Sequence, residues 1–319
     1  MLSKPLLTLK IDVDTYRGTR EGVAPLVRML AAHQANATFL FTMGPDHTGW
    51  ALRRALRPGF FSKVSRTSVV EHYGLKTLMY GTLLPGPDIG KRCAAELRAV
   101  RDAGFECGIH TWDHTLWQDN VARRDAAWTT AMMRKAAARF AQVFGTPART
   151  IGAAGWQMNV SAFAEHDAAG YHYASDGRAL LDERGAMLRA GDGPHRVRNG
   201  NTVLQCVQLP TTLPTLDELL GCEIDGKMLT TSNIADHILS LTAENRRDHV
   251  YTLHAELEGQ KLAPIFEQLL TGWQAQGYQF ASMAEYHDKV KQSDLPVCPI
   301  TWDELPGRSG RLIVQGKAA

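Results

Sequence analysis

Short apolar runs alternate with longer amphipathic segments along almost the whole chain. The apolar runs predict eight strands, at residues 6–12, 37–43, 105–110, 149–154, 171–176, 203–209, 249–254 and 278–281. Apolar residues at helical spacing predict five clear helices, at about 20–34, 91–103, 122–144, 231–246 and 263–276. This alternation is typical of parallel strands covered by helices, so the pattern predicts the α/β class.

Polar residues cluster at the ends of the predicted strands, and this favours a closed barrel over an open sheet. In α/β barrels the active site lies at the carboxyl ends of the strands. A dinucleotide-binding fold has no support, because no Gly-x-Gly-x-x-Gly follows the first strand. We therefore expect one barrel of seven or eight units over residues 1–292, with an insertion at 46–90, and a C-terminal tail at 293–319.

Two carboxylates end the first predicted strand. Asp12 and Asp14 are two positions apart, so both point to the same face of the strand, roughly 6–7 Å from each other. Two carboxylates this close repel unless one is protonated or a cation lies between them. The alternative for Asp14 is the N-cap of the following helix.

Two imidazoles follow the third predicted strand. His110 and His114 are four residues apart, which puts them on one face of a helical turn. One carboxylate and two imidazoles suit a divalent metal, with room left for water; Zn²⁺ fits best, and Mn²⁺ or Co²⁺ also fit. A His-x-x-x-His pair alone is more often structural. Because both clusters follow predicted strands, their combination predicts a metal-dependent hydrolase.

A second proton-transfer group is needed opposite the base of such a hydrolase. His254 ends the seventh predicted strand and is the candidate, although a histidine at a strand end is more often a hydrogen-bonded rim residue. Asp176 ends the fifth predicted strand and could hold that imidazole in its correct tautomer.

Several residues near these strand ends are candidates for substrate binding. An arginine suits bidentate recognition of phosphate, and small residues let the backbone approach a ligand. The two tryptophans would limit the volume of the pocket. The candidates are Arg17, Trp112, Ala154, Gly155, Trp156, Arg178 and Glu256.

The segment at 46–90 breaks the alternation of strands and helices. It carries six basic residues against three acidic ones, interleaved with large apolar side chains. Such a stretch suits the surface of an anionic membrane, and the alternative is a lid over the barrel mouth. The candidate membrane-binding residues are Trp50, Arg53, Arg54, Arg57, Phe60 and Phe61.

Composition narrows the function classes without choosing one. The chain has 319 residues, 44% of them hydrophobic, and a net charge of +2, which gives no indication of a nucleic acid partner. Its five cysteines are scattered, which favours free thiols in a reducing compartment. No segment has the pattern of a signal peptide or of a membrane-spanning helix.

Together these residues resemble the motifs of the NodB-like polysaccharide deacetylases. In that family one aspartate is the catalytic base, a second aspartate and a His-x-x-x-His pair bind the metal, and a late Leu-x-His supplies the general acid. Carried over by position, the resemblance implies Asp12 as base, His254 as acid, and Asp14, His110 and His114 as ligands. It also implies the family fold, a distorted (β/α)7 barrel, which agrees with the alternation.

The resemblance covers about residues 6–290, and its most specific strings lie at 11–22, 110–118, 153–156 and 252–259. These strings are most similar to members that remove a formyl group from formamido-arabinose carried on undecaprenyl phosphate. The resemblance therefore implies a peripheral enzyme of lipid A modification and cationic peptide resistance. Its place would be the cytoplasmic face of the bacterial inner membrane.

Two positions depart from the family pattern. Typical members have adjacent aspartates, whereas Val13 separates Asp12 from Asp14, so the assignment of base and ligand rests on their order. Typical members also carry an arginine that orients the base, and Gln157 stands near that place here. Two other functions stay open: an N-deacetylase of another polysaccharide or glycolipid, and a non-catalytic barrel that binds a lipid-linked sugar.

Overall fold

A mostly parallel sheet forms the centre of the computed structural model, which describes residues 4–51, 74–290 and 294–318. All eight predicted strands are present, and additional strands occur beside them. The strands are β1 (Leu6–Val13), β2 (Thr38–Thr42), β3 (Glu106–Thr111), β4 (Thr150–Ile151), β5 (Tyr173–Ala174), β6 (His195–Asn199), β7 (Thr202–Gln208), β8 (Glu223–Ile224), β9 (Lys227–Met228), β10 (His249–His254), β11 (Gln279–Ala281), β12 (Val297–Glu304) and β13 (Arg311–Gln315).

Seven of these strands form a distorted barrel, as the resemblance implies. Neighbouring strands are parallel in the order β10-β1-β2-β3-β4-β5-β7. The chain after β7 then returns to β10: the Thr212 N–H donates to the Val250 carbonyl at 3.0 Å, and the Val250 N–H donates to Thr212 Oγ1 at 2.9 Å. The barrel is closed here by a few hydrogen bonds rather than by a long ladder.

Helices cover the outside of the barrel, and the five predicted ones are confirmed within a few residues at their ends. The helices are α1 (Val23–Ala32), α2 (Leu75–Met79), α3 (Ile89–Arg92), α4 (Ala94–Asp102), α5 (His114–Asn120), α6 (Ala126–Phe144), α7 (Val160–Ala169), α8 (Leu216–Leu219), α9 (Ile234–Glu244), α10 (Ala263–Ala275) and α11 (Met283–Lys289). The longest, α6, begins where the Asp125 carboxylate accepts a hydrogen bond from the Trp128 N–H, and ends at Gly145 in the left-handed region (φ 77°).

In strand β1, residues that face the covering helices alternate with residues that face the interior of the barrel. All eight of its residues are buried. Leu7, Leu9, Ile11 and Val13 belong to the apolar core shared with the helices. The intervening residues point the opposite way, into the barrel, because successive side chains of a strand alternate. This alternation directs the polar residues of β1 towards the carboxyl-end cavity.

The last described residues form a β-hairpin that joins the same sheet. Strand β13 pairs antiparallel with β12, and β12 pairs parallel with β6. The side chain of Gln315 accepts a hydrogen bond from the Gly193 N–H at 2.8 Å. The division of the chain into a barrel and a C-terminal tail stays a prediction, but this hairpin is attached to the barrel's own sheet.

The predicted membrane-binding segment falls largely outside the described residues, which exclude Arg53, Arg54, Arg57, Phe60 and Phe61. Trp50 is described: its indole N–H donates to the Gly81 carbonyl at 2.5 Å, and its ring stacks on His47 at 4.0 Å. In the parts of the chain that the structure covers, no helix is long and apolar enough to cross a membrane.

Candidate active site and metal centre

The structure brings together the three predicted metal ligands at the carboxyl ends of β1 and β3. The Asp14 carboxylate contacts both imidazoles: Oδ1 lies 3.2 Å from His110 Nε2, and Oδ2 lies 3.3 Å from His114 Nε2. One ligand atom from each residue lies within 4.8 Å of the others. Position 110 is on β3 and position 114 begins α5, so the pair spans a strand-to-helix turn and not a continuous helix.

The donor atoms of this triad fit a divalent cation. Asp14 Oδ1 and His110 Nε2 are buried without a hydrogen-bond partner in the described residues, a state that costs about 1–3 kcal/mol per atom. His110 Nδ1 lies 2.7 Å from the Gly152 carbonyl and donates to it, which leaves the Nε2 lone pair for a metal. Burial alone would raise the pKa of Asp14, but His114 and then His110 hold it well below its ordinary value.

A buried carboxylate fixes the loop that carries Asp14. Glu256 Oε1 accepts hydrogen bonds from the Asp14 N–H at 3.0 Å and from the Thr15 N–H and hydroxyl at 2.7 and 2.8 Å. A Cβ at Gly18 would lie 1.9 Å from that oxygen, so only glycine fits there. Glu256 was predicted to bind substrate; in the structure its contacts are with the loop, and it fixes the position of Asp14, a candidate metal ligand.

Asp12 is paired with a cation that the motif comparison misses. The Lys10 ammonium donates to Asp12 Oδ2 at 2.8 Å, and neither side chain is more than 4% exposed. A Cβ at Gly152 would lie 2.9 Å from Lys10 Cε, so that glycine makes room for the lysine. Gln157, at the expected basic position, donates to the Arg311 carbonyl instead. The signal for Lys10 was the two-residue spacing on one strand, which places it on the same face as Asp12.

His254 lies beside Asp12 across the parallel ladder of β1 and β10. Its backbone N–H donates to Glu258 Oε2 at 2.9 Å, and its Nδ1 is buried without a hydrogen-bond partner in the described chain. Asp217, which follows the first residue of α8, shares the same cavity. Burial acts to raise the pKa of Asp217, but Arg308 and His254 outweigh it and lower the pKa.

The structure does not bring Asp176 to His254. Asp176 is fully buried, and its carboxylate accepts hydrogen bonds from the Ala153 N–H and the Gln208 amide, both at 2.9 Å. The nearest imidazole is that of His166, whose Nδ1 lies 3.5 Å away. Asp176 therefore holds β4, β5 and β7 together beneath the site, and Asp217 is the carboxylate near His254.

The triad, the base candidate and the acid candidate line one cavity of about 160 Å³. Gly155 and Trp156, two predicted substrate-binding residues, line it as well. Sequence reasoning missed four other lining residues. The full lining is Asp12, Asp14, His110, His114, Gln118, Gly155, Trp156, Asp217, His254, Leu257 and Arg308.

Besides Glu256, four predicted substrate-binding residues do not line this cavity in the described structure. Arg178 is fully buried and forms an ion pair with Glu218, so its charge is satisfied inside the protein. Ala154 is also fully buried. The ring of Trp112 lies 5.3 Å from the Arg139 guanidinium. Arg17 forms an ion pair with Glu21 at 2.7 Å.

Comparison with known proteins identifies close relatives of the whole chain. No family model matches it. The chain is 35% identical over 304 residues to a "Probable 4-deoxy-4-formamido-L-arabinose-phosphoundecaprenol deformylase ArnD" of Shewanella sediminis (strain HAW-EB3), covering 95% of this chain and 92% of the relative. A protein of the same description in Wigglesworthia glossinidia brevipalpis is 28% identical, covering 94% and 99%.

The fold has a match among solved structures. A "putative polysaccharide deacetylase" from Mycobacterium smegmatis superposes with a TM-score of 0.61 at 15% identity, covering 96% of this chain and 97% of that one. Fold and relatives together define the class, an amide-cleaving hydrolase with the NodB-like deacetylase fold. Within that class, the chain belongs to the family of the ArnD deformylases. The resemblance stated from the sequence is confirmed.

Proposed function

We propose that this protein removes the formyl group from 4-deoxy-4-formamido-L-arabinose carried on undecaprenyl phosphate, and so releases formate and the amino sugar. The observation that carries the proposal is the cavity itself. It combines a carboxylate–imidazole triad that has two unsatisfied buried atoms with Asp12 and His254 beside it. The names of the relatives support the choice of sugar and lipid.

Asp14, His110 and His114 would hold one divalent cation, with Zn²⁺ the best match and Mn²⁺ or Co²⁺ also compatible. When bound there, such a cation supplies Lewis-acid polarisation of the amide carbonyl and a more acidic water. The chain's own residues provide the rest of the chemistry.

Asp12 is placed to accept the proton of the attacking water. Lys10 engages its Oδ2, while its Oδ1 has no hydrogen-bond partner in the described residues and lies 3.7 Å from His110 Nδ1. The hydrogen bond from the Lys10 ammonium fixes the orientation of this carboxylate. Positioned general bases of this kind contribute about 10²- to 10⁴-fold to a rate.

His254 is placed to give a proton to the leaving amine. Its side chain lines the cavity beside Asp12, and the Asp217 carboxylate lines the same cavity. The attacking water leaves its oxygen in formate, Asp12 takes one of its protons, and His254 supplies the proton that makes the amine a leaving group. In the hydrolysis of the amide bond, Asp12 thus accepts one proton and His254 donates one.

We also propose that the segment 46–90 brings the cavity to an anionic membrane, at the cytoplasmic face of the inner membrane. Leu75 and Leu83, which follow residues 52–73, are 68% and 78% exposed, as a surface that meets lipid would be. Replacing Arg53, Arg54 and Arg57 by glutamate should release the protein from phosphatidylglycerol vesicles in a sedimentation assay. Unchanged sedimentation would refute the membrane contact.

The deformylase activity is tested with two matched substrates, a formamido-arabinose on a short polyprenyl phosphate and its acetamido twin. We expect formate from the first and no acetate from the second, in keeping with the names of the relatives. Acetate release would indicate a general N-deacetylase. Release of neither would refute the enzymatic proposal in favour of a binding barrel.

A further inference from the structure

The C-terminal hairpin places a cation in the catalytic cavity. Arg308 lies in the turn between β12 and β13, and it is the only lysine or arginine among the described residues that line this cavity. We propose that Arg308 binds the phosphate that links the sugar to its lipid, and so selects phosphate-linked sugars over neutral glycosides. This inference rests on the proposed function, because it names a feature of that substrate.

The guanidinium of Arg308 is held in one orientation before any ligand arrives. Its Nε donates to Glu218 Oε1 at 2.6 Å, and its Nη2 lies 3.2 Å from Thr215 Oγ1 and 3.3 Å from Asp217 Oδ2. Gly307, in the left-handed region (φ 78°), lets the turn approach closely, since a Cβ there would lie 2.6 Å from the Glu218 carbonyl. A cation fixed in this way loses little entropy when it binds an anion.

Arg308 also differs from the two cations that are its neighbours. Three cations surround the buried ring of Trp156: Arg178 at 4.5 Å, Arg308 at 4.7 Å and Lys10 at 5.2 Å from its centre. The side chains of Arg178 and Lys10 are 0% exposed, whereas that of Arg308 is 18% exposed and faces the cavity. Arg308 is therefore the member of the group that a substrate can reach.

Ion pairs already balance the charged side chains around Trp156. Lys10 balances Asp12, and Arg178 and Arg308 together balance Glu218 and Asp217. A divalent cation at the triad would exceed the charge of Asp14 by one. A phosphodiester carries one negative charge, and a planar guanidinium is well suited to bind its oxygens.

The test compares two substrates that differ only in the phosphate: formamido-arabinose linked to a decyl chain through a phosphodiester, and the neutral decyl glycoside. We expect Arg308→Met to lower kcat/KM for the phosphodiester by about 10- to 100-fold, the range of one hydrogen bond to a charged group. For the neutral glycoside we expect a smaller loss, because that substrate has no phosphate for Arg308 to bind. Arg308→Lys keeps the charge and should recover part of the difference.

Arg184→Met is the matched control, because Arg184 is exposed, pairs with Asp225 and Glu244, and does not line the cavity. Equal losses for both substrates, or no loss for either, would overturn the inference. Calorimetric binding of the phosphodiester to the metal-free protein gives a readout that is independent of turnover. If the wild type releases no formate, the proposed function fails. The binding experiment is decided separately: weaker binding of the phosphodiester by Arg308→Met than by the wild type would support the phosphate contact. Equal binding by the two proteins would refute that contact.

Discussion

The two sides of the catalytic cavity are built in opposite ways. The ligand side consists of Asp14, His110 and His114, and contains buried atoms with no hydrogen-bond partner in the described residues. The cation side consists of Trp156 and Arg308, whose guanidinium is bound to Glu218; the buried Arg178 contacts the same ring and the same carboxylate without lining the cavity. The buried atoms of the ligand side lack partners, so a metal can bind there. The charges of the cation side are already paired within the protein, and these pairs stabilise the fold. Changes on the ligand side should therefore cost activity, and changes on the cation side should cost stability and selectivity.

The largest effect is expected from His114→Ala. Removing one of three ligands should abolish stoichiometric metal binding and lower formate release by at least about a thousandfold, since the metal supplies several kcal/mol of stabilisation. Metal content by plasma mass spectrometry and a formate assay measure the two effects. His172→Ala, an exposed histidine outside the cavity, is the control. Normal metal content in His114→Ala would exclude His114 as a ligand.

A comparable loss of turnover with the metal retained is expected for Asp12→Asn. The variant keeps the shape of the side chain but not the proton acceptor, so kcat should fall by about 10²- to 10⁴-fold. Metal content should remain at the wild-type value because Asp12 is outside the triad. If this variant loses its metal, the assignment of Asp12 as base is wrong.

A smaller effect, which depends on Asp12, is expected for Lys10→Met. Lys10 contacts Asp12 directly, so its loss should lower kcat by about 10- to 100-fold in the wild-type background and have little effect in Asp12→Asn. Lys10→Arg should restore most of the rate, and Lys135→Met on the exposed face of α6 is the control. Equal losses in both backgrounds would show that Lys10 acts on stability and not through Asp12.

The smallest effect on turnover is expected for Glu218→Gln, measured with the neutral decyl glycoside as substrate. Its main effect should be on stability. This change leaves Arg178 buried without its ion pair, and should lower the free energy of unfolding by about 3–5 kcal/mol in urea titrations at pH 7. Arg178 and Arg308 hold the pKa of Glu218 below its ordinary value against the effect of burial. The difference in free energy of unfolding between the wild type and Glu218→Gln should thus be complete above the ordinary pKa of a glutamate. It should shrink as the pH falls below that pKa. An advantage unchanged at pH 3 would contradict the ion-pair explanation.

The same contrast explains what the sequence predicted. Asp12 and Asp14 are at the carboxyl end of β1, and His110 and His114 are at or just after the carboxyl end of β3. Only β2 separates these two parallel strands, so strand geometry brings the four residues to the same edge of the sheet. The contact between Lys10 and Asp12 could have been predicted in the same way, because the two residues are two positions apart on one strand. Arg308 was not, because a hairpin 54 positions after His254 reaches the cavity only through tertiary contacts with Glu218 and Trp156. No local pattern encodes that contact.

The choice between two acidic residues shows the same limit. The sequence indicated only Asp176, which follows β5, as the partner of His254; Asp217 lies in α8 and was not considered. In the structure Asp176 lies beneath the site and is bound by Gln208, while Asp217 lines the cavity. The depth at which a strand ends inside the barrel decides between them, and the hydrophobic pattern does not report it.

The ligand side of the cavity, formed by Asp14, His110 and His114, should hold one catalytic metal ion. The most direct measurement is formate release by chelator-stripped protein as Zn²⁺ is added back in steps, with the bound metal counted at each step. We expect a rate that rises in proportion to bound metal, reaches its plateau at one ion per chain, and is absent in His114→Ala. Full formate release by metal-free protein would contradict it.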